Sequence, residues 1–438
     1  MKKLLFIFSC LCSFAVMAQH TIEGQFTPAE DYKMTILYKV EANATNYVAY
    51  ATTDEQGQFT ITLDSTATKG IYRLVYANPQ EENNFDIIYN AKEDIKLKFN
   101  RETGVEFTES VENQLMASYT QNMSVVSQSI GQFYRQQSTD STALETIFTT
   151  QKETQKHFEE VAKGTLALEF IKGNTPYVPE QYEDIKTYIN NLRVHYFKHV
   201  DFDNEVLQNS NFLIERVLNY VFGIVDNELS ETENFTNNID EVHTYLKDSG
   251  LEIQHGILKT LWQQMADAGL DAVANYITDT YLLNVLQELN YQESIKEVMA
   301  FKSVSVGQIA PDFVVDSKTN TRLSELEGDT NYLLIFWSST CGHCLAEMPV
   351  LHEYLQNKED TNYKVIAVGL EDDEIGWKAT LNNFPDFTHV LGLGKWENEI
   401  GRMYGITATP AYFVLDTNEK IIAKPYDFKA FQKWLESE

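Results

Sequence analysis

Cysteine is scarce in this 438-residue chain, which has four, at positions 10, 12, 341 and 344. The first two lie in residues 1–18, where Lys2 and Lys3 precede a short apolar run that ends in Val16-Met17-Ala18. A charged start, a short apolar stretch and a small residue at the end predict a secretory signal peptide cleaved before Gln19. The bulky Ile7 and Phe8 ahead of Cys10 argue against lipid attachment there. The mature chain then keeps two thiols, both in one motif, so it has no structural disulfide elsewhere and no stray thiol to scramble in an oxidising compartment. Basic residues are also in short supply: 34 Lys and Arg face 64 Asp and Glu, for a formal charge of −30. Such a surface repels a phosphate backbone or an anionic lipid face, which excludes nucleic acid as a partner and leaves solubility as the plain meaning of the charge. No apolar run in the mature chain approaches membrane-spanning length. Phosphate loops, nucleophile elbows, internal repeats and low-complexity tracts are missing as well.

The chain is long enough for two or three cores, and its periodicity changes twice. Residues 19–110 alternate with period two: Phe59, Ile61 and Leu63 against Thr60 and Thr62, and Ile95, Leu97 and Phe99 against Lys96 and Lys98. Turn signals separate the runs, as at Asp54-Glu55-Gln56-Gly57 and Asn78-Pro79, and predict seven or eight strands in an antiparallel β-sandwich. Residues 111–302 turn to helical spacing and predict an all-α domain. Thr142-Ala143-Leu144-Glu145 reads as a capping box, Pro179 as a helix start before residues 182–200, and residues 204–225, 239–246, 252–268 and 283–301 as further helices. Residues 136–141 and 227–238 read as loops. Of the histidines here (157, 195, 199, 243 and 255), His195 and His199 alone have a metal-ligand spacing, i and i+4 on a predicted helix. No Glu follows His195 and no third ligand is evident, so packing or surface roles are favoured.

Residues 303–438 read strand, strand, helix, strand, helix, strand, helix, hairpin, helix: an α/β domain. Its centre is the run Tyr332-Leu333-Leu334-Ile335-Phe336-Trp337, then Ser338-Ser339-Thr340, then Cys341-Gly342-His343-Cys344. An unbroken apolar run followed by small hydroxyl residues predicts a buried strand that stops just before a helix. Cys341 then sits at the helix N-terminus, where free N–H groups and the macrodipole favour its thiolate. Cys344 lies one turn deeper on the same face, within reach of a disulfide and better shielded. Structural zinc would need a second cysteine pair, and c-type haem a His in place of Leu345. A static disulfide remains the rival to redox use, although so short a loop constrains the unfolded chain little. Glu347, one turn beyond Cys344, is either an exposed helix residue or a desolvated carboxylate with a raised pKa that exchanges a proton with the inner thiol. His343 favours the Cys341 thiolate when charged, or points to solvent. The acidic run 371–374 reads as a solvated helix cap.

Val306-Gly307-Gln308, Ala310-Pro311-Asp312-Phe313, Phe336-Trp337, Cys341-Gly342-His343-Cys344, Glu347, Pro349 and Thr409-Pro410 with the apolar run 411–415 appear in this order over the last third of the chain. In this combination the domain resembles the thioredoxin-like thiol–disulfide oxidoreductases of the TlpA/ResA type, and residues 19–110 resemble the small β domain often placed ahead of them. Thr340 departs from the pattern, since thioredoxins usually have Trp there, which bears on the substrate-facing surface. The resemblance implies a cis Thr409–Pro410 bond beside the cysteines, with Thr409 offering backbone groups to an extended substrate. It also favours the acidic proton-exchange role for Glu347, with Trp337 and His343 as modulators. It implies a periplasmic or secreted enzyme that needs no cofactor, reduces disulfide-containing envelope proteins such as apocytochromes c, and is recharged by a membrane thiol donor. A disulfide oxidase or isomerase, or a client-binding module with a vestigial redox domain, are the alternatives.

Overall fold

Eight strands open the computed structural model, which describes residues 20–42, 44–326, 331–358 and 363–437; the expected signal peptide, with Cys10 and Cys12, lies outside them. The strands are β1 (Thr21–Thr27), β2 (Met34–Glu41), β3 (Ala44–Thr52), β4 (Gln58–Thr62), β5 (Gly70–Val75), β6 (Asn84–Tyr89), β7 (Ile95–Asn100) and β8 (Gly104–Glu109). They form two four-stranded sheets, in the orders β4-β1-β7-β8 and β3-β2-β5-β6. The alternating apolar residues of both sheets, among them Phe26, Phe59, Leu97, Leu37, Tyr72 and Ile87, share one core. The antiparallel expectation needs one correction, because β1 and β7 pair in parallel, Ile22 opposite Ile95 through Thr27 opposite Asn100. Turn signals report only partners joined by hairpins. These two strands are joined through the other sheet, and the chain returns in the same direction.

By contact density the chain forms two units, Met1–Val225 with Asp240–Gly256, and Asp226–Ile239 with Ile257–Glu438. In the first, the helix Val111–Arg135 follows β8 directly, with Ser110 as its N-cap. The buried Asn113 side chain bonds both the N–H and the C=O of Ile88 on β6, each at 2.8 Å, and so satisfies backbone groups that would otherwise be orphaned. Several helix ends differ from the periodicity reading. Asp140, not Thr142, caps Ser141–Val161 by accepting from the Ala143 N–H. The helix expected over 182–200 is Ile185–Val194, capped by Asp184, and Pro179 stays outside it. The 204–225 stretch splits into Glu205–Gln208 and Phe212–Gly223. The segment read as loop over 227–238 contains the start of helix Glu231–Leu246. In each case a short polar side chain competes for the backbone at a point that apolar spacing does not mark.

Burial of tyrosines in this unit gives the fold an alkaline limit. Burial, reinforced by nearby Tyr89, pushes the Tyr72 hydroxyl up to about 12, and burial beside Glu183 pushes Tyr134 up to about 12. A group that holds its proton more tightly when folded contributes stability that is intact below its ordinary value of 10.0 and is lost as pH rises towards 12. Stability should therefore fall above pH 10, and Tyr72→Phe should flatten that fall. Chemical denaturation across an alkaline pH series checks this; an unchanged slope in the variant would remove Tyr72 from the account.

The second unit joins helices to the C-terminal sheet. Asp271, which opens helix Asp271–Ile277, is 5% exposed. It accepts from the Val306 N–H at 2.9 Å and pairs with Lys424 Nζ at 3.0 Å. The expected 283–301 helix is two, Leu283–Glu288 and Gln292–Ser303, parted at Asn290, whose φ of 58° lies in the left-handed region that asparagine tolerates. A short pair, β9 (Val314–Asp316) and β10 (Thr321–Arg322), precedes the main sheet. That sheet comprises β11 (Asn331–Trp337), β12 (Tyr363–Glu371), β13 (Thr388–Leu393), β14 (Ala411–Leu415) and β15 (Ile421–Ala423), in the order β13-β12-β11-β14-β15. β11, β12 and β13 are parallel, and β14 and β15 antiparallel. Both faces of β11 are covered: Tyr332, Leu334 and Phe336 enter one core, and Leu333, Ile335 and Trp337 enter another with the helix Gly342–Asn357 and the closing helix Phe428–Leu435. Burial on both faces is why this strand reads as a continuous apolar run.

Candidate active site

The chain leaves β11 at its carboxyl end, turns through Ser338-Ser339-Thr340 and enters helix Gly342–Asn357 with Cys341 as N-cap. Cys341 Sγ accepts the Cys344 N–H at 3.1 Å, the hydrogen bond by which a helix N-terminus stabilises an anion. The two cysteines are joined in a disulfide, with Cα atoms 5.3 Å apart. Their surroundings differ: Cys341 is half-buried, whereas Cys344 is 0% exposed among Trp337, Met348 and Leu351. His343 is exposed, and its side chain makes no hydrogen bond among the described residues.

The Thr409–Pro410 bond is cis and enters β14. Thr409 O lies 3.3 Å from Cys341 Sγ, so this turn meets the disulfide and the carbonyl faces the outer sulfur. Glu347 is half-buried, and its Oε2 accepts from the Tyr412 hydroxyl at 2.8 Å and from the Phe428 N–H at 3.1 Å. The second bond satisfies a free donor at the first turn of the closing helix, so one carboxylate ties three elements together. Burial and the facing Glu347 carboxylate hold the Tyr412 hydroxyl far above its ordinary pKa, and it remains a donor.

Glu371 corrects the reading of the acidic run as solvated. It ends β12, is 3% exposed, and takes the Ser339 N–H, the Ser339 hydroxyl (3.0 Å) and the Ser338 hydroxyl (3.2 Å) on its carboxylate. Only Asp372, Asp373 and Glu374 are exposed. A buried carboxylate thus holds the turn that presents Cys341. The available signal was its place at the carboxyl end of a central parallel strand, where sites in open α/β sheets gather. Gly376 lets helix Ile375–Thr380 pack close to this turn, since a Cβ there would lie 2.6 Å from Ser339 Oγ.

His195 and His199 do not share the helix on which their spacing was read. Helix Ile185–Val194 ends before both residues, His195 bonds Asn191 O and stacks on Tyr177 at 4.6 Å, and burial lowers the His199 pKa. Among the described residues no group of three or more His, Cys, Asp or Glu could hold a metal.

Residues 305–429 match the family model described as Redoxin. The C-terminal region is a Redoxin domain. The thiol-disulfide oxidoreductase ResA of Bacillus thuringiensis (strain Al Hakam) is 26% identical over 123 residues, which is 28% of this chain and 69% of that protein. ResA of Geobacillus thermodenitrificans is 25% identical over 142 residues, 32% of this chain and 80% of that protein. Among solved structures, a domain of a possible thiol-disulfide isomerase from Cytophaga hutchinsonii is 27% identical, covers 30% of this chain and 91% of its own, and has a TM-score of 0.26. What the Redoxin domain can do chemically follows from its two sulfurs. The outer one can be attacked or can attack, the inner one can displace whatever the outer one holds, and such a pair can pass between disulfide and dithiol.

Proposed function

We propose that this chain is an exported thiol–disulfide reductase acting on disulfide-bearing envelope proteins. The observation that carries the reading is the difference in depth between the two sulfurs, with the outer one on a helix N-terminus. In the dithiol state the Cys341 thiolate attacks a client disulfide, and a Cys341–client bond forms as the client's second sulfur leaves as a thiolate. Cys344 gives up its proton, with Glu347 one turn along the helix as acceptor, and displaces the client. The client leaves with two thiols and the enzyme as the Cys341–Cys344 disulfide. Two electrons must then return from a thiol donor, and an exported enzyme draws them from a membrane partner. Thr409, whose N–H has no acceptor among the described residues, pairs with the client backbone beside Pro410. The N-terminal sheets, as a β-sandwich, and the helices between serve client selection rather than chemistry. No helix among the described residues is long and apolar enough to cross a membrane.

Direction is tested by equilibrating the full chain with graded mixtures of reduced and oxidised glutathione and trapping free thiols. A reductase keeps its disulfide until the mixture is strongly reducing, with a midpoint of about −220 to −270 mV, and accelerates insulin reduction by dithiothreitol. A midpoint near about −120 mV would reverse the direction to oxidase, with the exposed His343 as the group favouring the Cys341 thiolate.

A further inference from the structure

Beside Pro410 the second unit opens a cleft of about 580 Å³. One wall is made by residues 404–408 and 410–413 of the Redoxin domain, with Thr409 between them at Cys341. The other is helical, with Trp262 and Ala266 on helix Leu251–Asp267 and Ala300 and Phe301 on helix Gln292–Ser303. Tyr426, 82% exposed, stands on the rim. The helical wall lies outside residues 305–429, so it is an addition of this chain to the Redoxin domain.

Three features define what fits. The first is the backbone of residues 407–409, which belongs to no strand and whose N–H groups have no acceptor among the described residues. Unpaired donors along a cleft suit an extended polypeptide, which supplies the missing partners by strand addition. The second is register. Thr409 O is 3.3 Å from Cys341 Sγ, so a strand paired with this segment and presenting its cysteine to Cys341 carries its neighbours about 3.3 Å per residue into the cleft. The third is the character of the walls. The Trp262 and Phe301 rings meet edge to face at 5.2 Å. Lys424 is committed to Asp271 and to the Phe301 ring, and Glu297 is paired with Lys259. Among the described residues Asp267 is left with only the neutral Gln263 amide. An aromatic cleft with one uncompensated carboxylate, in a chain of charge −30, accepts apolar or basic segments and repels acidic ones.

We infer that these two helices form the client-recognition wall of the active site, and that the cleft binds an extended segment flanking the client cysteine, apolar within two residues of it and free of acidic groups. This deepens the proposed reduction and rests on it.

The test uses the full chain carrying Cys344→Ala and a synthetic peptide whose single cysteine, flanked by Phe and Leu, is disulfide-bonded to thionitrobenzoate. The Cys341 thiolate attacks the peptide sulfur, the bond to thionitrobenzoate breaks, and the coloured thiolate leaves as the Cys341–peptide disulfide forms. A photoreactive phenylalanine analogue, placed in turn at the two positions on either side of the cysteine, is expected to cross-link to the two helices or to Tyr426. Ala300→Trp fills the cleft from an exposed helix position. It should lower the rate with this peptide, relative to the rate with the N-acetylcysteine adduct, about tenfold. Glutamate in place of the flanking Phe and Leu should lower the same ratio. Cross-links confined to other surfaces or to a second copy, or a ratio unmoved by Ala300→Trp, overturn the recognition wall while the exchange reaction stands. No release of thionitrobenzoate from either adduct overturns the reaction and the wall together.

Discussion

Cys344→Ala should turn the enzyme into a single-use trap: with a disulfide-bearing client it accumulates a covalent adduct that survives denaturing, non-reducing electrophoresis, and multiple turnover falls to background. The reason is positional. Cys341 is half-buried at a helix N-terminus and keeps its nucleophile, whereas the sulfur that would displace the client is gone. Cys341→Ala should trap little, because its remaining thiol is 0% exposed. Glu347→Gln retains the first attack and slows release of the client about a hundredfold, the usual scale of a lost general base. The cost to stability should be about 1 kcal/mol, since an amide oxygen can still accept from either Tyr412 or Phe428. Quenched-flow trapping over a pH series separates attack from release. Equal trapping by both cysteine variants would assign the nucleophile wrongly, and wild-type release by Glu347→Gln would leave that carboxylate its structural bonds alone.

Glu371→Leu is expected to destabilise the second unit by about 3 kcal/mol, because it strands the part-buried N–H and hydroxyl of Ser339 and leaves the buried Ser338 hydroxyl to Thr340 alone, on the turn ahead of Cys341. For a unit of this size that is a fall in melting temperature of about 6–12 °C. The turn then no longer holds Cys341 at its N-cap position, so the rate with small disulfides should fall as well. Adding Ser338→Ala and Ser339→Ala removes both hydroxyls and should recover part of the loss, which identifies the hydrogen bonds rather than general packing as the cause. Calorimetry of the single and combined variants gives the answer: additive losses, without recovery, would contradict the hydrogen-bond account.

These two carboxylates mark where residue patterns stop carrying information. The strand before the cysteines was legible because it is buried on both faces, and the closing helix because its apolar face repeats with helical spacing. Glu347 could be placed on the correct helix, yet its partners come from Tyr412 and Phe428, more than sixty residues downstream. Glu371 was harder, since three further acidic residues follow it and only the end of β12 separates the buried carboxylate from the solvated ones. The parallel pairing of β1 with β7 and the capping of Ser141–Val161 by Asp140 fall in the same class. Local pattern states what an element is, and distant side chains decide where it stops and what it meets.

Asp271 bears on how this protein can be taken apart. A gene fragment beginning at residue 303 would encode the whole Redoxin match and both cysteines, yet it would leave the Val306 amide without its acceptor and the Lys424 ammonium without its counter-ion. The piece that keeps these two contacts is longer than the recognisable one and begins before Asp271. A lineage that lost the helices near Asp271 while keeping the redox centre would need to replace that aspartate from elsewhere, or give up the basic residue at 424.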